Sequence, residues 1–365
     1  MNSKSGAMTR RRFLATAGTV PLWTASAGRV SAQRPSGAKI RIGQIGTQHA
    51  HAYGKMEAIR RLPELYEVVG VVEPDGEARR RAQQHEVFKD LPFVSEASLL
   101  ETPGLQAVAV ETAVSRLMAT ALRCLDAGLH IHVDKPAGTN LSACRRMHER
   151  ALAQGRSVQM GYMFRYNAGF EFLFRMLREG WLGEVTEVSG MIGKRASDSL
   201  RDDLSQYAGG GMFELGCHLI DAVVTVLGKP LSVQSFNRQM RPEQDAFIDN
   251  QLAVLEYSRA VATIRCNHMD PFGSPRRQFN VTGTQGTVEI RPLEAPRVRL
   301  ALDRDRGPYK KGYQDIPLVR KDGRYTGEFR DLAKVIRGEK ALVWDAAHDL
   351  AVQEAVLRAS GVSID

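Results

Sequence analysis

The sequence predicts an α/β chain: a parallel, doubly wound sheet in the first half, then a separate α+β domain on an antiparallel sheet. Three observations predict it. Between Lys39 and Tyr162, short apolar runs alternate with helical stretches, the rhythm of consecutive βαβ units. After Tyr162, strand-like runs follow one another without helices between them, which suits antiparallel pairing. The length, 365 residues, is far above one typical domain and calls for two cores. The expected division is 38–160 and 161–365.

Ile40–Ile45 is a short apolar run, followed by a helical stretch over 49–62. Tyr66–Val72 (YEVVGVV) is β-branched and lies between Pro63 and Pro74, hence a strand. Residues 77–85 form a charged helix, and Ala107–Val110 is the third strand. Leu117, Ala121 and Leu125 carry a helix to Ala127, where Gly128 stops it. His130–Val133 is strand-like, 141–154 is helical up to Gly155, and 156–162 is a fifth strand. In the second half, helices over 169–179 and 212–227 accompany strands at 184–193, 232–238, 251–257, 261–268, 278–283, 287–290 and 298–302. Thr284-Gln285-Gly286 reads as a hairpin turn and the polar stretch 303–321 as loop. Helices over 325–336 and 345–360 close the chain, with Gly361 as the stop.

The first 32 residues read as an address. Arg10, Arg11 and Arg12 stand ahead of a modestly apolar run to Trp23, which gives way to small residues ending VSA at 30–32. That is the order of a secretory signal, with cleavage expected after Ala27 or Ala32. The paired arginines resemble the twin-arginine signature. The run is too short, and too rich in Gly, Thr and Pro, to span a bilayer. These residues also carry Lys4 and Arg29 and no acid, so the net charge of +9 falls to about +4 without them. No Lys/Arg run remains, and no nucleic-acid partner is expected. Cys124, Cys144, Cys217 and Cys266 show no close pairing and read as four buried thiols.

Three constellations carry chemistry. The first βα turn, Gly46-Thr47-Gln48-His49-Ala50-His51, stands where a dinucleotide fingerprint would read G-x-G-x-x-G/A. Gly46 can make the tight turn, while Gln48 and His51 replace glycine-motif positions. Glu73 ends the second strand, where an acid accepts from ribose hydroxyls and repels a 2′-phosphate. That favours NAD, with NADP left open by Arg79, Arg80 and Arg81. Asp134-Lys135-Pro136 follows the fourth strand, so Lys135 lies over the ligand crevice. Glu214 and His218 are spaced i,i+4 and Asp221 lies one turn on, an arrangement that lets a carboxylate orient a base. His49-x-His51 and His130-x-His132 could each chelate, but no further cluster of carboxylates or cysteines completes a site, and no metal is expected.

These pieces, in this order, resemble the glucose–fructose oxidoreductase/inositol dehydrogenase/MocA family. The resemblance covers the chain beyond the signal. It rests on IRIGQIGTQHAHA, EVVGVVEPD, the strand with Val110-Glu111-Thr112, AGLHIHVDKPAGTN, GYMFRYN, GGGMFELGCHLID and FNVTGTQGTVEI. It implies a nicotinamide-binding Rossmann domain, then a domain with a large open, mainly antiparallel sheet that often makes a homo-oligomer interface. Lys135 sits at the lysine of the family's E-K-P motif, with Asp134 in place of glutamate. Glu214 stands for the usual aspartate, and His218 matches the helix histidine. The implied roles are His218 as base, Lys135 as the group stabilising charge on the substrate oxygen, and Glu214 as the positioning carboxylate. Implied cofactor positions are Gly46, Thr47, Gln48, His49, Glu73 and Thr112, with Asp134 and Lys135. Arg165, Tyr166, Asn167 and Asp221 are implied on the substrate side. Leu117 stands where a histidine is frequent.

The leading expectation is a periplasmic or secreted NAD(P)-dependent oxidoreductase acting on a sugar, polyol or glycoside. Outside the cytoplasm there is no soluble nicotinamide pool, so the cofactor should be held tightly and recycled within the turnover. The alternatives are a non-catalytic carbohydrate-binding protein on the same fold, and a lyase or hydrolase acting through transient sugar oxidation. A metal-assisted lyase using the extra histidines is a further one.

Overall fold

The computed structural model describes residues 37–319 and 323–364. The expected export signal at 1–32 lies outside the described residues. The first domain runs β1 (Ile40–Ile45), α1 (Ala52–Arg60), β2 (Tyr66–Val72), α2 (Gly76–Gln84), α3 (Glu96–Leu100) and β3 (Ala107–Val110). It continues with α4 (Val114–Asp126), β4 (His130–Val133), α5 (Leu141–Ala153) and β5 (Val158–Met160). Its five strands pair in parallel in the order β2-β1-β3-β4-β5. The order reverses between β1 and β3, so a crevice opens beyond their carboxyl ends, the place where such sheets bind ligands. All four residues of β3 are buried, as a strand covered on both faces requires. Helix α4 turns Leu117, Ala121, Cys124 and Leu125 inward, and Gly128 leaves it at φ 75°.

The second domain contains α6 (Ala168–Arg178), β6 (Val185–Gly193), α7 (Asp198–Ser205) and a π-helical turn (Met212–Gly216) running into α8 (Cys217–Leu227). Then come β7 (Ser232–Arg238), β8 (Asn250–Glu256), β9 (Val261–Asn267), the single turn α9 (Gly273–Arg276) and β10 (Gln278–Gly283). After β11 (Gly286–Ile290), β12 (Val298–Leu302) and β13 (Gly312–Ile316), the chain ends with α10 (Thr326–Ile336) and α11 (Ala346–Ala359). The sheet order is β13-β12-β11-β10-β6-β9-β8-β7, antiparallel except for β6 beside β9. Strand β9 buries Ala262, Ile264 and Cys266 and leaves Val261 and Arg265 exposed, the period-two pattern of a one-sided sheet.

Four elements differ from the sequence reading, two of them the short helices α3 and α9, which were not read. The expected loop 303–321 contains β13, and α7 falls where no helix was read. Strand β13 (GYQDI) is an edge strand with only Ile316 buried, so its residues need no apolar alternation.

The last two helices return to the first domain. Tyr66 Oη donates to the Phe329 carbonyl at 2.6 Å, and Gln353 Nε2 to that of Gly138 at 2.6 Å. Lys55 of α1 and Glu328 of α10 form a fully buried ion pair behind the crevice. All four cysteines are buried and free. Among the described residues no helix is long and apolar enough to cross a membrane.

Candidate active site

The β1 turn forms the floor of the crevice. Gly46 has φ 96°, and a Cβ there would lie 2.5 Å from the Thr112 nitrogen and 2.6 Å from the Glu111 carbonyl. Backbone against backbone cannot yield, so the position demands glycine. Helix α1 then starts with no side chain capping its free N–H groups, which leaves them to an anion such as a pyrophosphate. Thr112 Oγ1 is turned to the Ala113 carbonyl.

Glu73 is buried at the end of β2 and saturated by its own chain. Its Oε2 accepts from the Thr47 N–H and hydroxyl, both at 2.8 Å. Its Oε1 accepts from Asp75 N–H at 3.0 Å and Gln48 Nε2 at 3.1 Å. Arg116 holds the Gln48 carbonyl at 3.1 Å. A ribose fits this acid by displacing Gln48, whose bond is the longest of the four. Gln48→Gly is therefore expected to bind NAD at least as tightly as the parent, measured by fluorescence titration. A large loss of affinity would instead make Gln48 a direct ligand.

Lys135 follows β4 by two residues and reaches the second domain, where its Nζ donates to the Glu214 carbonyl at 2.7 Å. That carbonyl lies one turn before His218. The His218 ring is buried between Phe164, Tyr162 and His51, with centroids 5.4, 6.1 and 6.4 Å away. Its Nδ1 has no hydrogen-bond partner. Burial, then the charges of Lys135, His51 and Arg324, push its pKa well below the usual imidazole range. The ring is neutral near pH 7 and free to accept a proton.

The Glu214–His218 pair expected from i,i+4 spacing is not formed. The π turn holds more residues per turn than an α-helix, so residues four apart no longer share a face. Glu214 instead receives Lys194 Nζ at 3.2 Å and meets His268 Nε2 at 3.2 Å. Burial pushes its carboxyl up, but the His268 hydrogen bond and Lys135 and Lys194 hold it well below the usual range. Gly211 makes this approach possible: a Cβ there would lie 2.3 Å from the His268 ring. Lys194 and His268 were not read from the sequence, because no short spacing ties them to Glu214.

The four implied substrate-side residues have other partners here. Arg165 is buried in a network with Asp221 (2.6 Å) and Asp349 (2.5 Å), and His348 adds a contact to Asp221 at 3.2 Å. Burial pushes the Asp221 carboxyl up, but Arg165 and His348 hold it below its usual range. Tyr166 donates to Asp331 and accepts from Gln159. Asn167 caps α6 and donates to the Leu293 carbonyl. Arg165 and Tyr166 border a cavity of about 610 Å³ that also meets Arg175, Lys340 and Trp344. Neither Lys135 nor His218 lines it.

The two histidine pairs behave differently. His130 accepts the Ser157 N–H while His132 bonds Gln159, so that pair does not converge. His49 and His51 do converge, and Asp134 joins them. His51 Nδ1 lies 3.0 Å, and His49 Nδ1 3.4 Å, from Asp134 Oδ2. Glu111, buried at the end of β3, stands 3.8 Å from His49 Nδ1. It could have been found by the argument applied to Glu73 and Asp134, since it too is an acid at the carboxyl end of a parallel strand.

Residues 40–162 match the oxidoreductase family with an NAD-binding Rossmann fold, and residues 170–289 match the GFO/IDH/MocA C-terminal domain. With both domains matched, the chain belongs to the GFO/IDH/MocA family of nicotinamide-dependent oxidoreductases. It is 28% identical over 265 residues to the uncharacterized oxidoreductase YdgJ of Escherichia coli, covering 72% of this chain and 74% of that protein. It is 26% identical over 237 residues to trans-1,2-dihydrobenzene-1,2-diol dehydrogenase of Bos taurus, covering 64% of this chain and 68% of the relative. Its fold is similar to that of the WlbA dehydrogenase from Bordetella pertussis in complex with NADH and UDP-GlcNAcA. There the TM-score is 0.72 at 18% identity, covering 89% of this chain and 97% of that one.

Proposed function

We propose that this chain interconverts a carbinol and a carbonyl on a sugar, polyol or glycoside, and that it works outside the cytoplasm with a tightly held, internally recycled nicotinamide. The observation that carries the reading is the bond from Lys135 Nζ at the β1/β3 switch point to the Glu214 carbonyl, one turn before His218 in the second domain. Hydride acceptance and return is what the nicotinamide supplies when bound. The Gly46 turn, the N-terminus of α1 and Glu73 would hold it. His218, held neutral by burial, takes the proton of the hydroxyl borne by the reacting carbon. Lys135 stabilises the charge that develops on that oxygen. Phe164 and Tyr162 shield the histidine from bulk water. Glu214, held ionised by Lys194 and His268, keeps the π turn seated and so positions the carbonyl that anchors Lys135.

The arginine-led sequence at 1–32 supports export, and folded export suits a cofactor loaded beforehand. Homo-oligomerisation through the outer sheet face is supported by the exposed Phe236, Val261 and Tyr313. Protein purified from a cytoplasmic preparation is expected to release about one NAD(H) per chain on denaturation, read by absorbance and mass spectrometry. Stoichiometric NADP would overturn the cofactor choice. Failure to bind any nicotinamide would favour the carbohydrate-binding alternative, which the closed Thr47–Glu73–Gln48 contacts support.

A further inference from the structure

We propose that His49, His51 and Asp134 form a binding site for one divalent first-row transition ion, of the zinc class, with Glu111 beside it. The argument begins with the tautomer of His49. Its Nε2 lies 3.2 Å from the Lys135 carbonyl, which can only accept, so the proton is on Nε2. The Nδ1 lone pair then faces Asp134 Oδ2 at 3.4 Å and Glu111 Oε2 at 3.8 Å, with only a long 3.3 Å contact from the His51 N–H. His51 Nδ1 carries the proton it donates to Asp134 at 3.0 Å, and an ion would displace that proton to complete the set of three donors. A carbonyl that fixes the far nitrogen of a ligating histidine is the usual outer support of a metal site.

The spacing suits an ion. Metal bonds of about 2.0–2.1 Å in a tetrahedron place ligand atoms about 3.3 Å apart. Here the two histidine nitrogens lie 3.0 and 3.4 Å from one carboxylate oxygen, and all three ligand atoms fall within 4.8 Å of one another. A second, independent observation is Glu111. It is fully buried, and neither of its oxygens has a hydrogen-bond donor. Two imidazoles and a carboxylate select zinc, cobalt, nickel or ferrous iron over magnesium or calcium, which favour oxygen ligands throughout. An ion here would stand beside His218, whose ring is 6.4 Å from that of His51, and could polarise a substrate oxygen.

The site shares His49 and Asp134 with the positions implied for the nicotinamide, and its test keeps the two apart. Full-length protein, stripped with EDTA, is titrated with Zn²⁺ against a chromogenic chelator, with and without NAD. One ion per chain is expected, and His51→Gln and Asp134→Asn are expected to weaken its binding at least tenfold. His130→Gln should leave it unchanged. No stoichiometric uptake by the parent, or uptake indifferent to both substitutions, overturns the site. Should the variants fail to fold, the visible spectrum of the Co²⁺-loaded parent decides. Ligand-field bands of a four- or five-coordinate imidazole site support it, and the spectrum of the hydrated ion refutes it. NAD binding lost with Zn²⁺ uptake intact would count against the nicotinamide reading alone.

Discussion

His218→Ala is expected to slow hydride transfer by about 10²-fold or more while leaving nicotinamide binding within a few-fold of the parent. The ring combines an unpartnered nitrogen with a position one helical turn from the Lys135 anchor. Its pKa is depressed by burial and by Lys135, His51 and Arg324, so the active, neutral form persists at and below neutral pH. The acid limb of kcat/KM should therefore fall below the usual imidazole range rather than near pH 6.5, because protonation is opposed until the solution is well acid. Lys135→Ala should cost rate as well, since the developing alkoxide loses its cation. Single-turnover reduction of bound NAD measures both. Parent-like rates in the two variants would sink the mechanism, and an acid limb at or above pH 6.5 would remove His218 from the role of base.

The doubly wound sheet was legible because buried strands announce themselves. YEVVGVV and AVAV read as strands without help, and they fall at Tyr66–Val72 and Ala107–Val110. Strand β13 was not, because an edge strand held by backbone pairing to β12 needs no apolar pattern. His218 and Lys135, the base and cation of the proposed mechanism, could be named from the chain. The partners of Glu214, Lys194 and His268 rather than His218, could not, because the i,i+4 rule assumes an α-helix and the turn there is π. Nothing in Gly209-Gly210-Gly211 states that the chain will press onto His268. The His49–His51–Asp134 group shows the opposite failure. Both halves lay in the sequence, 83 residues apart, but only the β1–β3–β4 order brings them together.

Lys55→Met is expected to lower stability by about 3–5 kcal/mol at neutral pH, because it leaves a buried carboxylate without its cation. Lys55 is fully buried, paired with Glu328, with its Nζ 4.2 Å above the Tyr325 ring. It is the strut that ties α1 to α10 behind the crevice. Burial pushes the Glu328 carboxyl up to about 7, with Lys55 already holding it down, so removing the lysine must raise it further. The sign follows from that shift. A carboxyl whose folded pKa lies above its unfolded one stabilises the fold at low pH and loses that contribution as pH rises through the folded value. The penalty of Lys55→Met should thus be smaller near pH 5, where Glu328 is protonated, than near pH 8. Glu328→Gln added to Lys55→Met should recover much of the loss at pH 8, since a neutral amide carries no charge to desolvate. Urea unfolding of the three proteins at both pH values measures this. An equal penalty at pH 5 and pH 8, with no rescue by the glutamine, would show that packing around the lysine stem, and not the buried charge, holds α1 against α10.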